Sequence, residues 1–180
     1  MNVNSYIKYY ENILSESQCK EVLHCTETVF VSSPFSNKEG KVSSNERVCM
    51  DEFWVRKNSV LYPVIRGGFS RVIKRYSEEF DRFSVQHTTD FRINRYSEGG
   101  FMSSHIDNIH HSHGQQYGYP QVSALLYLND DYEGGEFYVA DKKFCPSRGS
   151  AIIFPSNFMF PHEAKIVTKG TRWSIVTWLM

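Results

Sequence analysis

TDFRINRYSEGGFMSSHID, residues 89–107, is the stretch on which the fold turns. Two short β-rich runs, TDFRINRY and FMSSHID, flank a glycine-bearing turn signal. From Thr88 onward the same rhythm continues through QVSALLYL, GEFYVA, GSAIIF, HEAKIV and TRWSIVTWL. Seven such runs in this half of the chain imply a sandwich, jelly roll or barrel.

Towards the N-terminus the pattern changes. A short strand is expected over Tyr6 to Tyr10. Ser15 with Gln18 three residues later has the form of a capping box and should open a helix running to about Val29. Residues 31–50, containing SSPFSNKEGKVSSN, read as loop, and the loop character is taken to extend to residue 59. Val60, Val64, Ile65, Phe69, Val72, Ile73, Tyr76 and Phe80 share one stripe at helical spacing and predict a second helix, with Gly67-Gly68 as its weak point. The expectation is one α+β domain over 1–180: a helical support layer, 1–87, against a β-fold, 88–180.

Composition narrows the function. The 180 residues include 13 Phe and 11 Tyr, an aromatic content that suits a β-rich core. Twenty basic residues balance twenty acidic ones, so no net field favours nucleic acid or an anionic membrane. The cluster Arg66, Arg71, Lys74 and Arg75 reads as the solvated face of the second helix. Cys19, Cys25, Cys49 and Cys145 lack paired spacing and are expected to be reduced and mostly buried. The chain shows neither a secretory leader pattern nor an apolar run of membrane-spanning length, which predicts a cytoplasmic protein.

Chemistry concentrates in HIDNIHHSHG, residues 105–114. If residues 101–107 are extended, His105 and Asp107 point to one side of the strand and form a two-ligand claw. Such a pair arises easily by chance, so a third ligand is required. His110, His111 and His113 lie in a Gly-, Asn- and Pro-bearing loop and read as solvated or substrate-facing; His162 opens a strand that can fix its geometry. Pairing HEAKIV with TRWSIVTWL through Thr168-Lys169-Gly170 would place Arg172 on the same face as His162, roughly 20 Å along the sheet. Arg172 is suited to gripping a carboxylate through its planar fork. On spacing alone, a surface histidine and a surface arginine account for the same pattern.

Taken together, RYSEGGFMSSHID, SALLYLND, GGEF, GSAIIFP, PHEA and GTRWSIVTW resemble the prolyl-4-hydroxylase-like branch of the iron(II)- and 2-oxoglutarate-dependent dioxygenases, over roughly residues 88–179. The resemblance implies a double-stranded β-helix, the jelly-roll relative of that family. It implies that His105, Asp107 and His162 ligate Fe(II) as a facial triad. Arg172 would bind the distal carboxylate of 2-oxoglutarate, Tyr96 and Tyr127 would hydrogen-bond that co-substrate, and Trp178 would form an aromatic wall. The Gly134-Gly135-Glu136 run reads as turn chemistry, with Glu163 and Lys165 pointing outward. The implied reaction couples conversion of 2-oxoglutarate and molecular oxygen to succinate and carbon dioxide with hydroxylation of an unactivated C–H bond, with ascorbate as an auxiliary reductant. The first substrate expectation is a prolyl residue in a peptide or protein, with the loops 31–59 and 108–120 placed to fold over it. A free amino acid or other small molecule is the alternative, and a non-catalytic cupin-like metal-binding module is the rival from another class. A nucleic-acid demethylase fits less well, because WSIVTWLM follows Arg172 without a second arginine.

Overall fold

The computed structural model describes residues 2–25, 30–37, 40–42, 46–108 and 118–180. A 3-10 turn (Val3–Tyr6) leads into β1 (Lys8–Tyr10) and α1 (Glu16–His24), followed by β2 (Val31–Ser32), β3 (Phe35–Asn37), β4 (Gly40–Val42), β5 (Val48–Cys49), β6 (Asp51–Val55) and α2 (Tyr62–Glu79). Then come β7 (Phe91–Tyr96), β8 (Phe101–His105), β9 (Val122–Tyr127), β10 (Glu133–Gly134), β11 (Phe137–Val139), β12 (Lys142–Phe144) and β13 (Ala151–Pro155). The last three are β14 (His162–Ala164), β15 (Val167–Lys169) and β16 (Arg172–Leu179).

Two sheets make the body, one of seven strands in the order β1-β13-β9-β16-β7-β6-β2 and one of five in the order β12-β11-β14-β8-β5. This is the jelly-roll, double-stranded β-helix architecture that the family resemblance implies, one of the three that the β-rich runs leave open. The period of two explains how the layers stack. On the seven-stranded sheet Ile93, Ala124, Leu126, Ile153 and Ile175 face α1 and α2 in one core; Leu125, Tyr127, Ile152, Phe154, Val176 and Trp178 face the five-stranded sheet in another. Strand β9, covered on both sides, is buried at every position.

Both helices follow from their sequences. Ser15 Oγ accepts from the Gln18 amide at 3.2 Å while Gln18 Oε1 accepts from the Ser15 amide at 3.0 Å, closing the expected capping box. The helix ends at His24 rather than near Val29, and residues 26–29 lie outside the described part. In α2, Gly68 strengthens what looked like a weak point: a Cβ there would stand 3.0 Å from both Leu126 and Leu14, so glycine is what lets the helix approach the sheet. Val60 precedes the helix and is exposed, contrary to its place on the apolar stripe. The basic residues of α2 are exposed as expected, yet two of them work: Arg71 donates to the Ile13 carbonyl at 2.7 and 3.0 Å, and Arg75 covers the Tyr10 ring. No helix among the described residues is long and apolar enough to cross a membrane.

Three other expectations are corrected. Residues 31–59 contain five short strands rather than loop alone, and β2, β5 and β6 join the two main sheets, so the segment before residue 88 is not purely helical support. Of the cysteines, all free, only Cys19 is buried. The proposed hairpin between HEAKIV and TRWSIVTWL does not form. Strand β14 pairs with β8 and β11, β15 pairs with β10, and β16 pairs with β7 and β9. His162 and Arg172 therefore stand on opposite sheets, with Arg172 reaching Phe137 across the gap between them, so no 20 Å stretch of strand has to be bridged.

Candidate active site

The three metal-competent side chains are assembled by strand pairing. His162 on β14 is the direct cross-strand partner of His105 on β8, which brings their rings to 4.3 Å between centroids. Strand β8 stops at His105, and Asp107 lies just beyond it. Its carboxylate nonetheless turns back, with Oδ1 3.6 Å from His105 Nε2 and Oδ2 3.3 Å from His162 Nε2. The ligand atoms of all three residues fall within 4.8 Å of one another. His162 and Asp107 are buried and His105 is partly so.

Each group is oriented from behind. His105 Nδ1 lies 2.9 Å from the Ser103 carbonyl and His162 Nδ1 lies 3.2 Å from that of Phe160, leaving both Nε2 atoms turned to the centre. Asp107 Oδ2 accepts from Ser123 Oγ at 2.6 Å, and Ser123 in turn contacts Ser156 Oγ at 2.7 Å. Burial alone would raise the Asp107 carboxyl, but the two imidazoles and the Ser123 hydroxyl hold it well below the usual carboxylate range. Burial, reinforced by the neighbouring His162, pushes His105 down to about 4. At neutral pH the claw thus offers a neutral His105 imidazole and an anionic carboxylate, the states a divalent cation needs.

Behind the triad, beyond the Tyr96 and Phe137 rings that line the cleft, lies Arg172. Its side chain is 1% exposed, and all three guanidinium nitrogens are buried without a hydrogen-bond acceptor. Aromatic rings surround it: Cζ lies 4.8 Å from the ring centre of Tyr96, 5.2 Å from Tyr127 and 5.9 Å from Phe137. Burial works against the charge, but the phenols of Tyr127, Tyr96 and Tyr132 outweigh it and keep Arg172 above the usual arginine value. Tyr96 is its cross-strand partner and Tyr127, opposite Ser174, is the diagonal one; the Tyr127 hydroxyl is also buried and unpartnered. Gly135 makes room for this arginine, since a Cβ there would stand 3.0 Å from Arg172 Cδ. The Gly134-Gly135-Glu136 run is therefore more than a turn. A buried cation with three unused donors, set behind the Tyr96 and Phe137 walls of a cleft that also holds a His-Asp-His cluster, can cradle a carboxylate.

Trp178, two residues from Val176 on the same face, closes one side of the cleft. Glu163 and Lys165 pair with each other at 2.7 Å on the outside, as expected. His110, His111 and His113 lie outside the described residues. The ends of their segment are tied, because the Asn108 side chain donates to the Pro120 carbonyl at 2.6 Å. The sequence reading missed Ser123, Arg92 and Asn94, although the period of two puts Ser123 on the face of Tyr127 and Arg92 and Asn94 on the face of Tyr96, the two tyrosines that the resemblance implies.

A jelly roll with two imidazoles and one carboxylate converging at its mouth, and a buried guanidinium below, defines a non-haem iron oxygenase site. Residues 91–180 match the model of the 2OG-Fe(II) oxygenase superfamily, half of the chain, and the protein belongs to that superfamily. Members depend on Fe(II), 2-oxoglutarate and oxygen, and the residues present fit both groups: the triad suits the metal and Arg172 suits a dicarboxylate. Human prolyl 3-hydroxylase 2 is 26% identical over 210 aligned positions, covering 93% of this chain but only 28% of that protein. Among solved structures, a Trichoplax adhaerens prolyl hydroxylase in complex with a hypoxia inducible factor peptide superposes with a TM-score of 0.78 at 22% identity, over 97% of this chain and 83% of that one. The viral collagen prolyl hydroxylase of Paramecium Bursaria Chlorella virus-1, in its 2-oxoglutarate complex, does so at 0.72 and 16%, over 97% and 95%. At these identities the structures establish the shared fold.

Proposed function

We propose that this chain is an iron(II)- and 2-oxoglutarate-dependent dioxygenase that hydroxylates a prolyl residue in a peptide or protein. The observation that carries the reading is the pairing of an inward-facing His105-Asp107-His162 cluster with a buried, acceptor-free Arg172 between the same two sheets. Relatives named for prolyl hydroxylation supply the substrate class.

In this reading His105, Asp107 and His162 would hold the iron. Bound iron with 2-oxoglutarate and oxygen supplies the oxidising power that converts a C–H bond to C–OH, with succinate and carbon dioxide leaving. The protein supplies position. Arg172 would draw the far carboxylate of 2-oxoglutarate to its guanidinium, Tyr96 and Tyr127 would flank it, and the apolar walls of Phe137, Phe154 and Trp178 would keep water out. Ser123 would fix the Asp107 carboxylate so that one oxygen stays turned to the metal. A cytoplasmic setting belongs to the same reading and draws support from four free cysteines.

The test begins with anaerobic Fe(II) and 2-oxoglutarate. The reading expects a weak visible charge-transfer band that is lost in His162→Ala. Succinate formation stimulated by proline-containing peptides, with oxygen gained at proline, follows on admitting air. An absent band would identify a metal-binding module without catalysis; stimulation by a free amino acid alone would move the substrate to small molecules.

A further inference from the structure

The wall of the cleft carries a second buried guanidinium. Arg92, on β7, is 8% exposed and lines the cleft beside His105, Asp107 and Trp178. One edge of it is engaged: Nη1 donates to Glu52 Oε2 at 3.1 Å, and that carboxylate also accepts from Ser33 Oγ at 2.7 Å and Trp54 Nε1 at 3.2 Å. The other edge is not. Arg92 Nε is buried with no acceptor, and Asn94 Oδ1, two residues along the same strand and lining the same cleft, is buried without a donor. The guanidinium plane lies against Trp178, 4.9 Å from its ring centre, with Trp54 at 5.9 Å.

The two buried arginines differ in charge balance, and that difference sorts what each can take. Arg172 has no carboxylate partner, so it suits an anion. Arg92 and Glu52 together are neutral, and a second carboxylate brought to Arg92 would be forced towards the first. A neutral carbonyl oxygen meets the free N–H without that repulsion and relieves a desolvated donor. The subsites are also separate: Arg172 pairs with Tyr96, whereas Arg92 pairs with Val176, four residues further along β16 and about 13 Å away along the strand.

We propose that Arg92 is a specificity-determining residue that donates to a backbone carbonyl of the primary substrate, so that the cleft takes proline within an amide chain and not free proline, whose carboxylate would be set against Glu52. This rests on the prolyl hydroxylase reading above. Trp178, which lines the cleft, supplies an apolar surface beside that donor against which a pyrrolidine ring can lie.

The probes are poly(L-proline) and free L-proline, with wild type, Arg92→Lys and the double variant Arg92→Met/Glu52→Met, all iron-loaded. Lysine keeps Glu52 paired but lacks the second donor edge, and the double variant removes both charges, so neither leaves a lone buried ion. Both should raise KM for poly(L-proline) about ten- to a hundredfold. KM for 2-oxoglutarate should stay within about twofold and the anaerobic visible band should be unchanged, since Arg172 is untouched. An unchanged KM for poly(L-proline) overturns the inference alone, as does a raised KM for 2-oxoglutarate, which would assign Arg92 to the co-substrate. Wild-type preference for free proline overturns the carbonyl assignment. If neither probe stimulates wild-type turnover, the prolyl reading falls and takes this inference with it.

Discussion

Replacing Arg172 by methionine should weaken co-substrate binding while leaving the fold intact. In the absence of a dicarboxylate the guanidinium is a fully buried cation whose three nitrogens have no acceptor. Burying such a charge costs several kcal/mol. The rings of Tyr96, Tyr127 and Phe137 offset this, on the order of 0.5–2 kcal/mol each, in keeping with the upward shift of the arginine. Methionine fills similar volume and forfeits both the cost and the offset, so the apoprotein's melting temperature should hold. Binding should change far more: loss of a two-pronged grip on a buried carboxylate is worth about 3–5 kcal/mol, or about two to three and a half orders of magnitude in Kd. Calorimetric titration of 2-oxoglutarate into Mn(II)-loaded wild type and variant, with thermal melts of both apoproteins, reads the two quantities separately. The reasoning is refuted if affinity stays within about threefold. It is refuted equally if the variant melts more than about 6 °C lower, roughly 2 kcal/mol for a chain of this size, because the arginine would then be a structural support.

Three more outcomes follow from the same geometry. Ser123→Ala removes the 2.6 Å hydrogen bond to Asp107 and should weaken metal affinity about ten- to a hundredfold, read by competition with a chromophoric chelator; unchanged affinity would show that Ser123 does not orient the carboxylate. Gly135→Ala forces a side chain onto a residue with φ of +63° and into contact with Arg172 Cδ, so it should cost about 1–2 kcal/mol in urea unfolding and raise the Kd for 2-oxoglutarate as well. For pH, His105 is depressed from 6.5 to about 4 in the folded apoprotein, so the unfolded chain takes up a proton first as pH falls. Its contribution is fully present above about 6.5 and is lost between 6.5 and 4, up to about 3 kcal/mol; a melting temperature flat across that window would contradict the partly buried, neutral imidazole.

The sequence made the chemistry more legible than the scaffold. His105 and Asp107 sit two apart, and the parity of a strand alone predicts their common side. Arg172 and Trp178 fall on one face by the same rule, and the structure keeps them there, with Tyr96 paired across from Arg172. The failed hairpin shows where local rules stop: nothing in HEAKIVTKGTRW states that β14 and β16 belong to different sheets, because that choice is made by distant partners, His105 for one and Tyr96 for the other. The strands between residues 31 and 55 were hidden for another reason. Most are two or three residues long, too short for a period, and β6 puts Glu52 on an inner face where an apolar residue would be expected. That exception is understood only once Arg92 is seen beside it.

Asp107 belongs by chain to the five-stranded side, yet its carboxylate is fastened by Ser123 to the seven-stranded side, while the two imidazoles beside it hang from β8 and β14. A cation seated among them would therefore act as a rivet between the two walls. Loading it should slow amide exchange at β9 and β14 together, and an iron-starved molecule would carry its scarcity as a loosened seam as well as a silent catalyst.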